Sequence, residues 1–309
     1  MEARWSGSVR PNSSSVSKDY RHPPSGVMSA PGRGPRSPVP NGRWLPSSRT
    51  DEWEFPRGGT PSTHILKPQG HPGPDGPQIV DIVSNEAFCM RLAAAAGCHV
   101  ASVAPRLVGT RWVLFVERFD RTPDRGVGVR RIHQEDLAQA SGTVPTSKYE
   151  EDGGISLVDA ATTYGVAGVG RIVASRHLLA AIVVAAATGN ADQDAKNLGV
   201  LYGDQLEPAP LYDLVSTVVY EDLSRRSAFR IGSEIYVDEV HDQACIEAST
   251  SFGMPEGLAR ARVSELVEIL HEKVDGVVAE SRSEGWHTDV VDQVADLVRR
   301  WPERSFQNP

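Results

Sequence analysis

Cysteine is scarce in this chain of 309 residues: only Cys89, Cys98 and Cys245 occur, with no C-x-x-C pair among them. An odd number at such spacings supports neither a disulfide framework nor a thiolate zinc site. Long hydrophobic runs are missing too. The longest, Leu178 to Ala187, falls well short of the ~18 residues a membrane span takes, and the N-terminus has no apolar signal region. These gaps lead to the expectation of a cytoplasmic protein with no membrane partner. Nor is the bulk of the chain basic. Residues 1–50 carry seven Arg and one Lys against Glu2 and Asp19, a balance of +6, and the whole is −8, which leaves −14 on residues 51–309. Phosphate neutralisation needs clustered Lys and Arg, so any contact with DNA is expected only indirectly, through a partner. No histidine sits in an H-E-x-x-H pattern, which removes the usual zinc-hydrolase reading.

What is present divides the chain unevenly. Residues 1–50 contain 11 Ser, 8 Pro and 5 Gly without apolar periodicity, the composition of a disordered basic tail. From Asp51 the texture changes. THILK (63–67) and WVLFV (112–116) read as strands, and between them Ser84 is expected to cap a helix running through Ala96 and stopped by Gly97. Beyond about residue 130 the 3.6-residue period dominates, in 134–140, 176–187, 256–281 and 288–300, with LGVLY (198–202) the one interruption of strand character. The run RHLLAAIVVAAA (176–187) is apolar on every side, which places it at the centre of its lobe. The fold expected is α+β and two-lobed: a small mixed α/β N-lobe at 51–118 and a mostly helical C-lobe at 119–309.

Directly after that apolar helix comes GNADQDAKN (189–197), a polar loop anchored on rigid structure. Asp192 and Asn197 have the spacing D-x-x-x-x-N, in which a kinase Asp accepts the substrate hydroxyl proton and the Asn holds magnesium. Asp213, past the next strand pair, stands where a second magnesium ligand belongs. Lys67, at the end of the first strand, is placed like the lysine that meets nucleotide phosphates. Each signal alone is weak, since an Asp after a strand is commonly a turn or cap, but their order is specific. Two other motifs fail: GVAGVGR (165–171) is G-x-x-G-x-G rather than the dinucleotide fingerprint, and DQDAKN lacks the Gly and closing Glu of a calcium loop.

The stretches TPSTHILKP (60–68), NEAFCMRLAAAAG (85–97), VERFDR (116–121), HQEDLAQASG (133–142), KYEEDGG (148–154), GNADQDAKN (189–197) and PLYDL (210–214) resemble, in order, the signatures of HipA-type kinases. The resemblance runs from about Trp53 to Tyr236. It implies a two-lobed protein-kinase-like fold and a serine/threonine kinase that uses ATP and magnesium. Its family role is the toxin of a toxin–antitoxin pair, with a HipB-like helix-turn-helix antitoxin as partner. The implied substrate is a translation component, notably an aminoacyl-tRNA synthetase, and the implied outcome is growth arrest and persistence. Carried over by position, Lys67 contacts ATP phosphates, Glu117 and Phe119 offer hinge backbone to adenine, and Asp192 is the base with Lys196 beside it in the catalytic set. Asn197 and Asp213 hold magnesium, and Glu86 is a candidate partner of Lys67. His133, Gln134, Glu135 and Asp136, and Lys148, Tyr149, Asp152 and Gly153, are expected to position the lobes.

Two departures qualify this. Asp194 replaces the His of the family's D-x-H-A-K-N, putting a carboxylate two residues from Asp192, where it can raise the pKa of the base. The family's Gly-rich phosphate loop is not legible before Trp53, so the chain reads as N-terminally truncated or degenerate, with residues 1–50 a candidate non-native reading. The alternative function is therefore a catalytically impaired relic that binds an antitoxin or other partner.

Overall fold

The computed structural model of this chain describes residues 26–28, 61–70, 79–124, 128–144, 147 and 149–304. The remainder of the 1–50 tail, residues 51–60 and Lys148 lie outside the described residues. Strand β2, His64–Pro68, is the centre of the small lobe's architecture. It pairs antiparallel with β4, Arg111–Glu117, which pairs with β3, Val103–Val108; on its other edge lies β1, Gly26–Met28. Those three residues thus have a place in the sheet, although the tail's composition gave no sign of a strand there.

Side chains alternate across the sheet, as the two-residue period requires. Leu66, Val113 and Phe115 form a small cluster on one face, while Ile65, Leu114 and Val116 join the main core on the other. Lys67 shares its parity with Ile65, so it leaves the strand toward the main core and helix α1, Ile82–Ala95. That helix starts two residues before the expected cap: its N-cap is Asp81, in the left-handed region at φ 55° with no side-chain cap bond, and Ser84 is inside the first turn, donating to the Trp286 carbonyl at 2.7 Å.

Strands β5, Arg121–Asp124, and β6, Gly128–Arg131, form a hairpin at the lobe boundary. The segment 134–140, expected wholly helical, splits instead. β7, His133–Asp136, pairs with β8, Gly199–Tyr202, and only α2, Leu137–Ser141, is helical. Asp136 explains the switch: its side chain accepts from Gln139 N at 2.7 Å while Gln139 returns a bond to Asp136 N, a capping box that starts a helix there.

The body is built around α4, Arg171–Thr188, packed among α3 (Leu157–Val166), α5 (Asp242–Ser251), α6 (Glu256–Glu284) and α7 (Asp289–Arg304). Every residue from Ala181 through Thr188 is buried, which matches the all-round apolarity of the run. The ten-residue run understated this helix: its eighteen residues, mean hydropathy 1.5, reach membrane-span length and apolarity, yet it is mostly buried as a core helix. GVAGVGR covers the last two residues of α3, the loop 167–170 and the first residue of α4. Helix α5 and the hairpin of β10 (Arg226–Ile231) and β11 (Glu234–Tyr236) carry too little periodicity to be anticipated. A short strand β9, Leu206–Pro208, completes the β7–β8–β9 sheet just ahead of Asp213.

Candidate active site

Helix α4 ends at Gly189, whose φ of 71° turns the chain sharply into the largely buried loop that follows. The loop that follows is tied down by its own side chains. Asn190 Oδ1 accepts from Asp192 N at 3.0 Å, Asn197 Nδ2 donates to Asp192 O at 2.7 Å, and Gln193 Nε2 donates to Asn197 O at 3.3 Å. The D-x-x-x-x-N spacing therefore closes a loop in which Asn197 spans back to its Asp, and the amide nitrogen used on Asp192 O turns the amide oxygen the other way. Asp194 is buried and caps the 3-10 turn Ala195–Asn197, accepting from Lys196 N at 2.7 Å. The carboxylate expected to crowd Asp192 is engaged in shaping the turn.

Lys67 meets two acids, one near it in the chain and one far along it. Its Nζ lies 2.7 Å from Glu86 Oε1 on α1 and 2.5 Å from Asp213 Oδ1. Burial works against the ammonium's charge, but the Glu86 and Asp213 carboxylates outweigh it and hold Lys67 above the usual lysine range. For Glu86 burial dominates and pushes the carboxyl up; Lys67 opposes this and Asp213 adds to it. Asp213 itself is one of two described non-glycine residues at positive φ, 58°. Aspartate tolerates this region better than most residues, and such placements cluster where a side chain must be aimed.

Tyr212 joins the two halves. Its hydroxyl donates to Lys196 O at 2.5 Å, and its ring lies 5.7 Å from that of Phe119, at the lobe boundary. Burial, with Asp136, Asp213 and Asp194 nearby, pushes the Tyr212 pKa up and keeps that proton in place. Glu117 ends β4, exposed, with its N–H donating to Ser102 O at 2.9 Å, so that donor is committed within the chain. Lys67 thus touches Asp213 directly, Tyr212 beside Asp213 touches Lys196 and Phe119, and Asp192 and Asn197 join through the loop that carries Lys196.

The remaining motif residues have structural contacts. Glu135 accepts from the Tyr202 hydroxyl at 2.7 Å, and His133 lies over the Tyr202 ring at 5.1 Å. Glu150–Asp152 form a 3-10 turn latched to β10, with Arg226 on Asp152 at 2.6 Å and Arg230 on Glu151 at 2.9 Å. Arg226 also covers the Tyr149 ring at 4.9 Å, and burial, then Asp192, raises the Tyr149 pKa, which puts this latch beside the polar loop.

Among the described residues no group of three or more His, Cys, Asp and Glu could hold a metal. Magnesium does not require one, since it keeps waters and takes one or two protein oxygens beside phosphate. The oxygen donors of Asp213 and Asn197 fit that demand. The Lys67 ammonium on Asp213 shows that this carboxylate already binds positive charge.

Comparison with known proteins adds context to this geometry. The family model described as "HipA-like C-terminal domain" matches residues 29–274. A Sinorhizobium fredii protein named as a kinase, Y4mE, is 39% identical over 233 residues, covering 74% of this chain and 54% of that protein. The serine/threonine-protein kinase toxin HipA of Shewanella oneidensis is 29% identical over 239 residues, 74% of this chain and 53% of its own. Among solved structures, a Shewanella oneidensis MR-1 complex of HipA, HipB and operator DNA contains a chain that superposes with a TM-score of 0.73 at 24% identity. The match covers 97% of this chain and 66% of that one, a likeness of fold alone. The chain spans about half the length of the curated relatives it matches.

Proposed function

This chain belongs to the HipA-like C-terminal domain family, and from that premise we propose that it transfers the γ-phosphoryl group of ATP to a serine or threonine hydroxyl of a protein. The observation that carries the reading is the Lys67 bridge, which brings together Glu86, 19 positions away, and Asp213, 146 positions away. A strand lysine held by a helix glutamate beside a metal-binding aspartate is the arrangement phosphoryl transfer uses.

In this reading Lys67 binds the nucleotide phosphates and Glu86 holds its Nζ in place. Glu117 and Phe119 present backbone to the adenine edge at the lobe boundary, and the Phe119 ring, through Tyr212, ties that edge to the polar loop. Asp192 orients the substrate hydroxyl and takes its proton, with Lys196 adjacent. Asn197 and Asp213 hold Mg2+, which when bound neutralises phosphate charge. The rest is positioning, which alone can supply several kcal/mol of barrier reduction, about 7–11 in well-oriented systems.

The toxin role belongs to the same reading: a HipB-like antitoxin as partner, DNA reached through it, and a translation component such as an aminoacyl-tRNA synthetase as substrate in the cytoplasm, leading to growth arrest and persistence. The 29% identity to a Shewanella oneidensis protein named as the kinase toxin HipA supports it.

Phosphate incorporation from γ-labelled ATP with Mg2+, into the chain and into a translation-factor extract, tests the proposal. Incorporation is expected with the native chain and none with Asp192→Asn or Asp213→Ala. Activity surviving in both variants would overturn the assigned roles. No incorporation by the native chain would favour the alternative, a partner-binding relic.

A further inference from the structure

Asn85 lies on α1 immediately before Glu86, fully buried, with its amide used on both sides. Nδ2 donates to Ser216 O at 2.9 Å and to the Tyr220 hydroxyl at 3.1 Å, while Oδ1 accepts from Ser216 N at 2.8 Å. Pairing both the N–H and the C=O of one residue fixes that residue as a strand neighbour would. Ser216 stands three residues after Asp213. Thr217 then continues the link: its hydroxyl accepts from Ala191 N at 2.9 Å and donates to Gly189 O at 3.2 Å, and its own N–H donates to Gly189 O at 2.9 Å.

Helix α1 therefore holds the Asp213 segment at two points, through Glu86 and Lys67 at one and through Asn85 and Ser216 at the other. That segment in turn holds the loop carrying Asp192. We propose that Asn85 is a positioning residue: its clamp on Ser216 makes α1, the Asp213 segment and the loop 189–192 a single mechanical body. For its chemical consequence this rests on the phosphoryl-transfer reading above; the clamp itself is a property of the unliganded chain. A buried amide is kept at such a site because any apolar replacement strands two backbone groups away from water.

Asn85→Asp keeps size and the acceptor for Ser216 N but removes the donor that Ser216 O needs. Tyr220→Phe is the control, since it removes a hydroxyl bonded to Asn85 and to Val80 O while leaving both Ser216 bonds. In the full chain, amide hydrogen exchange at 189–192 and 214–218 is measured alongside ADP affinity with and without Mg2+. In Asn85→Asp, exchange should rise at both segments together, by about tenfold for one lost buried hydrogen bond. The Mg2+-dependent gain in ADP affinity should shrink with it.

Tyr220→Phe should lower the melting temperature yet leave both readouts at the native level. A second cut, Thr217→Val, should raise exchange at 189–192 while Ser216 stays protected, and it decides the matter if Asn85→Asp does not fold. Native protection at 189–192 in either test variant would reduce Asn85 to a core hydrogen bond and overturn the proposal. A native chain without Mg2+-dependent ADP binding would sink the kinase reading alone, because the exchange data judge the clamp independently.

Discussion

Glu86 is a buried carboxylate whose charge is tolerable because Lys67 stands 2.7 Å away. Removing that ammonium takes away the cation that Glu86 shares with Asp213. Lys67→Ala should therefore lift the Glu86 pKa further above its unfolded value of 4.5, since burial and Asp213 both push it up. The sign follows from proton binding. Above pH 4.5 the unfolded state releases the proton while the folded variant keeps it, so stability falls as pH rises, by about 1.4 kcal/mol per pH unit until the folded carboxyl also ionises. Urea unfolding of Lys67→Ala at pH 5 and pH 8 should show a larger deficit against the native chain at pH 8. An equal deficit at both would mean that Glu86 is solvated once Lys67 is gone. The same variant should weaken ATP binding, and unchanged ATP affinity would count against the phosphate role of Lys67.

At the scale of elements, the decisive joint is the end of α4. Gly189 at φ 71° lets the chain leave the helix, and a β-carbon there would collide with Val218 Cγ2. Gly189→Ala adds a left-handed penalty to that overlap, so it should cost about 1–3 kcal/mol and displace the loop toward Asp192. Chemical denaturation gives the first quantity; the second should appear as loss of exchange protection at Ala191, whose N–H bonds Thr217 Oγ1. A stability and protection equal to native would show that the joint is slack. The apolar run before Gly189 and the polar loop after it were both legible in sequence, because a buried helix and a D-x-x-x-x-N spacing are local patterns. So were Lys67 and Asp213, through motif order. Other features depend on partners far away in the chain. Asn85 looks like an indifferent polar residue in a helix until Ser216, 131 positions on, is placed against it. The start of α1 was misplaced because Asp81 enters it through a left-handed turn without a side-chain cap bond, while Ser84, read as the cap, lies inside the first turn. The helix read at 134–140 failed for a related reason: the strand β7 exists only because β8 pairs with it.

Over the whole molecule, one apolar core joins the small lobe to the helical body. Phe88 of α1, Leu114 of β4, Ile182 of α4 and Val294 of α7 belong to the same cluster, while among the described residues the sheet's other face holds a small cluster of Leu66, Val113 and Phe115 with Ala104 against it. Among the described residues it is the shared core that buries most of the sheet's apolar area, and burial of apolar area is what offsets chain entropy. Trp286 sits at this junction, fully buried, with its carbonyl accepting from Ser84 and the Arg91 guanidinium 5.3 Å from its ring centroid. Trp286→Ala should cost about 3–5 kcal/mol, as large aromatic truncations in cores do. More tellingly, it should destabilise the sheet as much as the helices. Hydrogen exchange resolved by segment along a urea series should show β3–β4 and α6–α7 losing protection at one midpoint, shifted by the same amount in the variant. Loss of α6–α7 protection with the sheet's midpoint unmoved would mean two independently folding units, and α1 would then no longer be able to carry a change in the helical body to Lys67 and Asp213.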